Sequence, residues 1–127
     1  MRRADPVIIV YARPYWNRTG FAVKAGAVYE LSASGTWYDA STPSGPDGYL
    51  RGNFLQELVS GLRRSPRNRW FAPMGALDGA PDTIFLIGSH ATYTAPRSGE
   101  LVCFANDVPG FYWNNTGSVT VTIHRIK

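Results

Sequence analysis

Oxygen-bearing side chains are concentrated in one stretch near the carboxyl end of the chain. Residues 106–117 read Asn-Asp-Val-Pro-Gly-Phe-Tyr-Trp-Asn-Asn-Thr-Gly. Asp107 lies on one arm of this loop, and Asn114 and Asn115 lie on the other. Carboxylate and amide oxygens are the ligands that hard cations prefer, whereas zinc favours Cys and His. The loop therefore indicates a cation site built from oxygens.

A turn at the centre of the loop adds a backbone oxygen to this set. Pro109 and Gly110 fit the two central positions of a type II turn, because proline fixes the first φ and glycine readily takes the positive φ of the second. Such a turn directs the carbonyl of Phe111 back into the loop, towards the side chains of its two arms. The loop is therefore expected to form a bent hairpin tip that carries one carboxylate, two amide oxygens and one carbonyl.

Calcium is the metal that this set favours, because calcium takes about 6–8 oxygens in flexible geometry. The loop supplies fewer, so water or two adjacent hydroxyls of a sugar must complete the coordination shell. Tyr112 and Trp113 would then lie beside the metal, where their rings can stack on the apolar face of a pyranose. With one formal charge among the ligands, we expect a dissociation constant of about 10⁻⁴ M or somewhat tighter. A second interpretation stays open, in which the Asn and Asp residues only stabilise turns.

The rest of the chain predicts a β-rich framework for this loop. Composition includes 13 Gly, 9 Pro, 4 Trp, 7 Tyr and 6 Phe, which favours short strands joined by tight turns. The pattern predicts an all-β fold, a jelly roll or β-sandwich of about eight strands. The predicted strands cover residues 7–12, 19–24, 28–33, 70–77, 83–87, 91–95, 100–105 and 117–124. The first reads as a central strand buried on both faces, and the second and third read as a hairpin.

One segment carries helical spacing. Phe54, Leu55, Leu58, Val59 and Leu62 recur at the spacing of one helix face, after Asn53 as a candidate N-cap. Gln56, three residues on, completes a pattern that resembles a capping box. We therefore expect one short helix. Residues 41–48, rich in Pro, Gly and Ser, predict a rim loop before it.

Size and charge bound the remaining possibilities. A chain of 127 residues predicts a single domain over residues 1–127. The formal charge is +4 at pH 7, and the densest basic run covers residues 63–69, beside Trp70. This run is typical of a solvated helix end, and a nucleic-acid partner is a weaker alternative. The amino-terminal residues show no export signal or membrane span, so the cytoplasm is the default expectation. Non-classical export to the cell surface, or origin in a longer protein, stays open.

The residue pattern supports neither nucleophilic catalysis nor a metal site of another kind. The single cysteine, Cys103, lies in an apolar strand pattern, and His90 and His124 are isolated from it and from each other. Five acidic residues outside the loop could serve a glycoside hydrolase, but none has a motif around it: Asp47, Glu57, Asp78, Asp82 and Glu100. We expect a protein that is not an enzyme, with an accessory or structural domain stabilised by calcium as the alternative.

A known family shares the motif of the loop. The run Asn-Asp-Val-Pro-Gly at 106–110, then Tyr112, the Asn pair and the alternating last strand resemble the bacterial PA-IL-type galactophilic lectins. Upstream the resemblance is thinner. It implies a galactose-binding domain-like jelly roll that binds one sugar per subunit through calcium, and a homo-oligomer (dimer or tetramer).

The resemblance also implies a role for individual residues. Asp107, Asn114 and Asn115 match side-chain calcium ligands, and Phe111 matches a carbonyl ligand. A further carbonyl would come from Asp39, or from Tyr38 if the register slips. Asp107, Asn114 and Val108 would also contact the sugar. Two bulky residues, Phe111 and Trp113, replace smaller ones of the family, and residues 45–54 show no counterpart of its galactose-contacting His and Gln, so the sugar stays open.

Overall fold

A computed structural model describes residues 5–50 and 54–127. Within that part of the chain, nine strands form two antiparallel sheets that pack as a sandwich, which confirms the predicted all-β class. The strands are β1 (Val7–Tyr11), β2 (Asn17–Val23), β3 (Val28–Asp39), β4 (Thr42–Ser44), β5 (Pro73–Leu77), β6 (Phe85–Leu86), β7 (His90–Thr94), β8 (Gly99–Ala105) and β9 (Asn115–Arg125).

The first sheet is organised around one long strand pair. Its order is β1-β9-β3-β4, and β7 also pairs with β3. Strands β3 and β9 are antiparallel from the pair Tyr29–Arg125 at one end to the pair Asp39–Asn115 at the other. The second sheet has the order β2-β8-β5-β6. The end of the sandwich where Asp39 meets Asn115 carries the candidate site.

The core lies between the two sheets and follows from the alternation of β9. Val119, Val121 and Ile123 point inward and are at most 1% exposed, while the residues between them are partly exposed. A strand that is covered on one face shows this period of two. Trp37 and Phe71 fill the same core in an edge-to-face contact, with ring centroids 5.7 Å apart. The indole N–H of Trp37 donates to the carbonyl of Phe71 over 3.0 Å.

Three expectations about strand neighbours are wrong. Strand β1 is an edge strand, and Val7, Ile9 and Tyr11 are more than half exposed, because only one of its faces meets the core. Strands β2 and β3 belong to different sheets and form no hairpin. Strands β8 and β9 also belong to different sheets, so the loop between them crosses the sandwich and is no hairpin tip. Hydrophobic pattern indicates which residues are buried, but it does not indicate which strands pair.

The one short helix that the sequence predicts is present. Helix α1 covers Phe54–Leu58, and a 3₁₀ turn at Ser60–Leu62 follows it. Leu58 and Leu62 are 67% and 63% exposed, so the helical spacing does not make them part of the core. The proposed N-cap, Asn53, lies outside the described residues. Among the helices in the described part of the chain, none has the length and apolar character needed to cross a bilayer.

Candidate functional site

The loop between β8 and β9 lies where the two sheets come together. Strand β8 ends in the second sheet at Ala105, and β9 begins in the first sheet at Asn115, directly opposite Asp39 of β3. A cavity of about 130 Å³ opens here. Its lining residues come from the β8–β9 loop, the β3–β4 turn and helix α1: Asp39, Ala40, Ser41, Thr42, Gln56, Asp107, Phe111 and Asn114.

The turn predicted inside the loop is confirmed. The N–H of Phe111 donates to the carbonyl of Val108 over 3.0 Å, which closes a four-residue turn around Pro109 and Gly110. Gly110 has φ of 91°, a value that glycine adopts without steric cost. A 3₁₀ turn at Tyr112–Asn114 then leads into β9. The two turns bring the arms of the loop together, so that Asp107 lies beside Asn115.

Asp107 is a buried carboxylate held by two hydrogen bonds. The residue is only 2% exposed. One carboxylate oxygen accepts the N–H of Val108 over 2.7 Å, and the other accepts the amide of Asn115 over 3.1 Å. Burial raises the pKa of Asp107 to about 6, and the negative charge of Asp39 adds to this rise, although both hydrogen bonds oppose it. Without a cation, the ionised carboxylate is therefore poorly compensated.

Two amide oxygens in the same place have no partner. The Oδ1 atoms of Asn114 and Asn115 are buried and accept no hydrogen bond from any described residue. The amide nitrogen of Asn115 donates to Asp107 and to the carbonyl of Ala12, which fixes the direction of its oxygen. A buried acceptor without a donor costs about 1–3 kcal/mol, so such atoms call for an explanation. An oxygen-preferring cation between these atoms and Asp107 would satisfy them, which is the fit expected for calcium.

Asp39 enters the site through its side chain as well as its strand position. The expectation concerned only its backbone carbonyl. In the structure the residue is 7% exposed, lines the cavity and accepts hydrogen bonds from the hydroxyl of Tyr49 and the amide of Gln56. Burial raises the pKa of Asp39, and the two hydrogen bonds oppose that rise. The site therefore holds two buried carboxylates, one more than the sequence indicated.

Tyr49 and Gln56 are site residues that no sequence motif indicates. Gln56 was interpreted as part of a capping box, yet its amide nitrogen donates to Asp39 and, over 2.7 Å, to the oxygen of Tyr49. Burial and the neighbouring Asp39 raise the pKa of Tyr49. No local pattern connects residues 39, 49 and 56, because they lie on separate segments and their spacing is that of neither a helix nor a strand. Only the fold brings them together.

Of the residues expected to contact a sugar, Trp113 is the exposed one. Its side chain lies at the surface, and the residue is 70% exposed. Tyr112 is 7% exposed, and its hydroxyl donates to the carbonyl of Ala105, so the expected stacking of its ring on a sugar does not fit this structure. Val108 is 4% exposed and contributes its backbone N–H to Asp107 rather than a surface for a ligand.

Segment 63–70 packs against the β8–β9 loop and holds it in position. The N–H of Arg64 donates to the carbonyl of Asp107 over 3.0 Å. Its guanidinium lies 3.5 Å from the ring centroid of Phe104 and 3.6 Å from that of Tyr15, and it donates to the hydroxyl of Tyr112 over 3.1 Å. Such a cation packed among rings is worth about 2 kcal/mol or more when it is desolvated. Arg64 therefore anchors both arms of the β8–β9 loop.

Asn106, next to Asp107, is a second anchor. The residue is fully buried, and its amide oxygen accepts the N–H of Ser65 over 2.9 Å. Its amide nitrogen donates to the carbonyls of Ser65, Asn68 and Arg69 at distances of 2.9 to 3.2 Å. One side chain thus ties the whole segment to the end of β8, and the position of Asp107 depends on it.

Other metal chemistry lacks a ligand set in the described part of the chain. No group of three or more His, Cys, Asp or Glu side chains comes together there. Cys103 is buried, and burial raises the pKa of its thiol to about 12, which suppresses the reactive thiolate. The imidazole of His124 lies 3.1 Å from the carboxylate of Asp5, away from the cysteine's strand. The candidate site therefore depends on carboxylate, amide and backbone oxygens.

Comparison with known proteins supports the architecture. No protein-family model matches the chain, and no curated protein matches it by sequence. Among solved structures, the chain is similar to one described as "EclA N-terminal domain; PllA-like lectin", with a TM-score of 0.72 and 22% sequence identity. The similarity covers 94% of this chain and 95% of that chain. The similarity shows that the two chains share a fold.

Proposed function

We propose that this chain is a calcium-dependent carbohydrate-binding protein with its site at the β8–β9 loop. The observation that carries the proposal is the pair of buried amide oxygens, on Asn114 and Asn115, that lack donors beside the buried carboxylate of Asp107. A purely apolar interior does not explain this arrangement, because a buried acceptor must be paired to be tolerated. A hard cation pairs all three groups at once.

Asp107, Asn114 and Asn115 would hold calcium through their side chains, and Phe111 and Asp39 through backbone carbonyls. Calcium, when bound, supplies the positive charge that the buried carboxylates lack and takes hydroxyl oxygens of a ligand into its remaining positions. The residues of the chain hold the ion and determine the pH range in which it binds. Asp107 must be ionised to act as a ligand, so a calcium affinity that falls below about pH 6 is expected.

A saccharide fits the surroundings of the cavity. Ser41 and Thr42 carry hydroxyls and Gln56 an amide at its wall, so the site offers both donors and acceptors to a polyhydroxylated ligand. Trp113 provides an exposed ring nearby, and aromatic rings pack on the apolar faces of sugars. The similarity in fold to a domain described as a lectin agrees with this assignment. A galactose-like monosaccharide is the first ligand to test.

Binding rather than catalysis is the activity we propose. The two buried carboxylates at the site are adjacent to unpaired amide oxygens that suit a metal, and a bound cation would hold both in the ionised form rather than leave one as an acid. Two carboxyl groups outside the site have structural partners: Asp78 accepts the N–H of Glu100, and Glu100 pairs with Arg18. A homo-oligomer, dimer or tetramer, remains a prediction, which light scattering would test.

A glycan array with the protein in calcium and in chelator tests the proposal. Wild-type protein should bind galactose-like glycans in calcium only, and Asp107→Ala should lose both calcium and glycan binding. Asp82→Ala is the matched control, because Asp82 is 78% exposed and lies outside the cavity. Circular dichroism confirms that the variants keep the β fold. Glycan binding that persists in chelator, or in Asp107→Ala, would contradict the proposal.

A structural calcium is the second candidate, and the same experiment separates it. In that case calorimetry would detect calcium binding that depends on Asp107, while the array would show no glycan bound under any condition. The cavity beside the unpaired oxygens favours the first candidate, because a site closed by protein atoms would leave no room for a ligand hydroxyl.

A further inference from the structure

A larger cavity lies outside the candidate calcium site and shares no lining residue with it. Its volume is about 490 Å³, and its wall includes Asp47, Arg67, Asn68, Arg69 and Leu86. Cavities of about 300–1,000 Å³ are typical for small organic ligands, whereas a single water occupies only about 30 Å³. The cavity is therefore large enough for a saccharide unit and far larger than one inorganic anion needs.

The four arginines of segment 63–70 divide into two pairs. Arg63 lies over the ring of Trp70, 4.7 Å from its centroid, and Arg64 is packed among aromatic rings as described above. Arg67 and Arg69 both line the large cavity, are exposed, and make no side-chain hydrogen bond or ion pair with a described residue. The first pair stabilises the fold, and the second pair is available to bind an anion.

The backbone that carries the second pair is rigid. The carbonyls of Asn68 and Arg69 accept the buried amide of Asn106, and the amide of Asn68 donates to the hydroxyl of Ser65 over 2.6 Å. Both arginines therefore extend from fixed positions, and little conformational entropy of the backbone is lost when a ligand binds.

The opposite wall is held to the arginine segment. Tyr49 and Trp70 exchange two backbone hydrogen bonds of 2.9 Å. Gly48 has φ of +71°, and a Cβ at that position would lie 2.4 Å from the carbonyl oxygen of Trp70. The segment that carries Asp47 thus packs directly on the segment that carries Arg67 and Arg69, so the distance across the cavity is preset.

We propose that this cavity is a second binding site, for an acidic saccharide whose sulfate or carboxylate group is held by Arg67 and Arg69. Arginine pairs bind such planar or tetrahedral oxyanions through charge-assisted hydrogen bonds. Asp47 accepts hydroxyl protons of the same ligand, and the half-exposed side chain of Leu86 packs on its apolar face. This combination of cations, one carboxylate and an apolar wall matches a sugar that carries an anionic group.

Nucleic acid fits the cavity less well, although the same arginines lie beside a tryptophan in the sequence. Trp70 is only 1% exposed and is stacked on Tyr49, so its ring is not available to a base. Binding of single strands needs such a ring beside a basic track, and two of the four arginines in this segment are already packed against rings. The structure favours one localised anionic group over a chain of phosphates.

An NMR titration in chelator tests the site without the calcium centre. The probe is a sulfated, uronate-containing disaccharide; an unsulfated uronate disaccharide, neutral cellobiose and inorganic sulfate are run in parallel. We expect the acidic disaccharides to shift the side-chain Nε–H signals of Arg67 and Arg69. The unsulfated arm tells whether the bound group is the sulfate or the carboxylate. Cellobiose should cause no shift, and inorganic sulfate should bind at least about tenfold more weakly.

The double variant Arg67→Gln, Arg69→Gln should weaken binding of the preferred disaccharide at least about tenfold. Arg125→Gln is the matched control: it removes the same kind of charge at the far end of β9 and should change affinity less than about twofold. Asp107→Ala should bind the disaccharide like wild type, which separates this site from the proposed calcium function. The double variant should keep a folded spectrum, because both arginines are exposed.

Four results would overturn the proposal. Two of them are binding of cellobiose, or of inorganic sulfate, that is as tight as binding of the acidic disaccharide. The third is a loss of affinity in Arg125→Gln as large as in the double variant. The fourth is binding of an oligothymidylate strand that is tighter than binding of the disaccharide and is also lost in the double variant. The first two would remove the acidic saccharide as ligand, the third would reduce the effect to overall charge, and the last would assign the arginines to nucleic acid.

Discussion

Asp107→Asn should stabilise the metal-free protein at neutral pH, although it removes a residue of the site. The folded protein raises the pKa of this carboxyl from 3.8 to about 6, mainly by burial. Above pH 6 the ionised group therefore costs the folded state about 3 kcal/mol relative to the unfolded chain. The asparagine has the same shape and no charge, so it does not pay this cost.

The sign of the pH dependence follows from proton binding. Between about pH 4 and pH 6, the folded state holds more protons on this group than the unfolded state, so wild-type stability falls as pH rises through this window. At pH 4 the cost is almost absent. The substitution itself loses the hydrogen bond that Asn115 donates to Asp107, which costs about 1 kcal/mol. The variant should be no more stable than wild type at pH 4 and about 2 kcal/mol more stable at pH 8.

Urea unfolding in chelator at both pH values, followed by tryptophan fluorescence, measures the two differences. Adding calcium at about 100 times its dissociation constant should then stabilise wild type by about 2.7 kcal/mol and leave the variant unchanged, which reverses their order at pH 8. A constant difference between the two proteins at pH 4 and pH 8 would show that the buried carboxylate does not destabilise the fold.

Other perturbations probe the support of the site and its specificity. Arg64→Lys should lower the free energy of unfolding by about 2 kcal/mol and weaken calcium binding, because the contacts with the rings and with the loop are both weakened. Arg18→Lys, at an exposed ion pair, should leave the free energy of unfolding almost unchanged in the same denaturation assay. Gly48→Ala should cost about 3 kcal/mol, because strain and a backbone clash combine, whereas Gly26→Ala, with similar φ and open space, should cost about 1 kcal/mol in thermal unfolding. For Trp113→Gly we expect a changed glycan-array profile with unchanged calcium affinity; an identical profile would remove the ring from the sugar site.

Patterns with a fixed period predicted the framework well. The alternation of Val119, Val121 and Ile123 gave the buried face of β9, and the Pro109-Gly110 pair gave the turn that shapes the loop. These features depend on residues near one another in the chain, so their physical cause is visible in the sequence. Pairing between strands depends on distant segments, and there the hairpin predictions failed.

The candidate site likewise contains residues that the sequence indicates and residues that only the fold brings together. Asp107, Asn114 and Asn115 share one loop, and the structure brings them together as the sequence indicated. Tyr49 and Gln56 come from outside the loop and meet Asp39 only in the folded chain, so no spacing rule could place them. The arginine run predicted a solvated helix end, with a nucleic-acid site as the weaker alternative. In the fold, two of its arginines pack on rings and two line a cavity.

The oxygen site at the β8–β9 loop is proposed to hold one divalent cation and to leave coordination positions open. A crystal structure of the protein with calcium and a galactoside tests it most directly. We predict one ion bound by Asp107, Asn114 and Asn115, with ligand hydroxyls completing its shell. An empty loop in saturating calcium, or an ion enclosed entirely by protein oxygens, would be incompatible with an open calcium site.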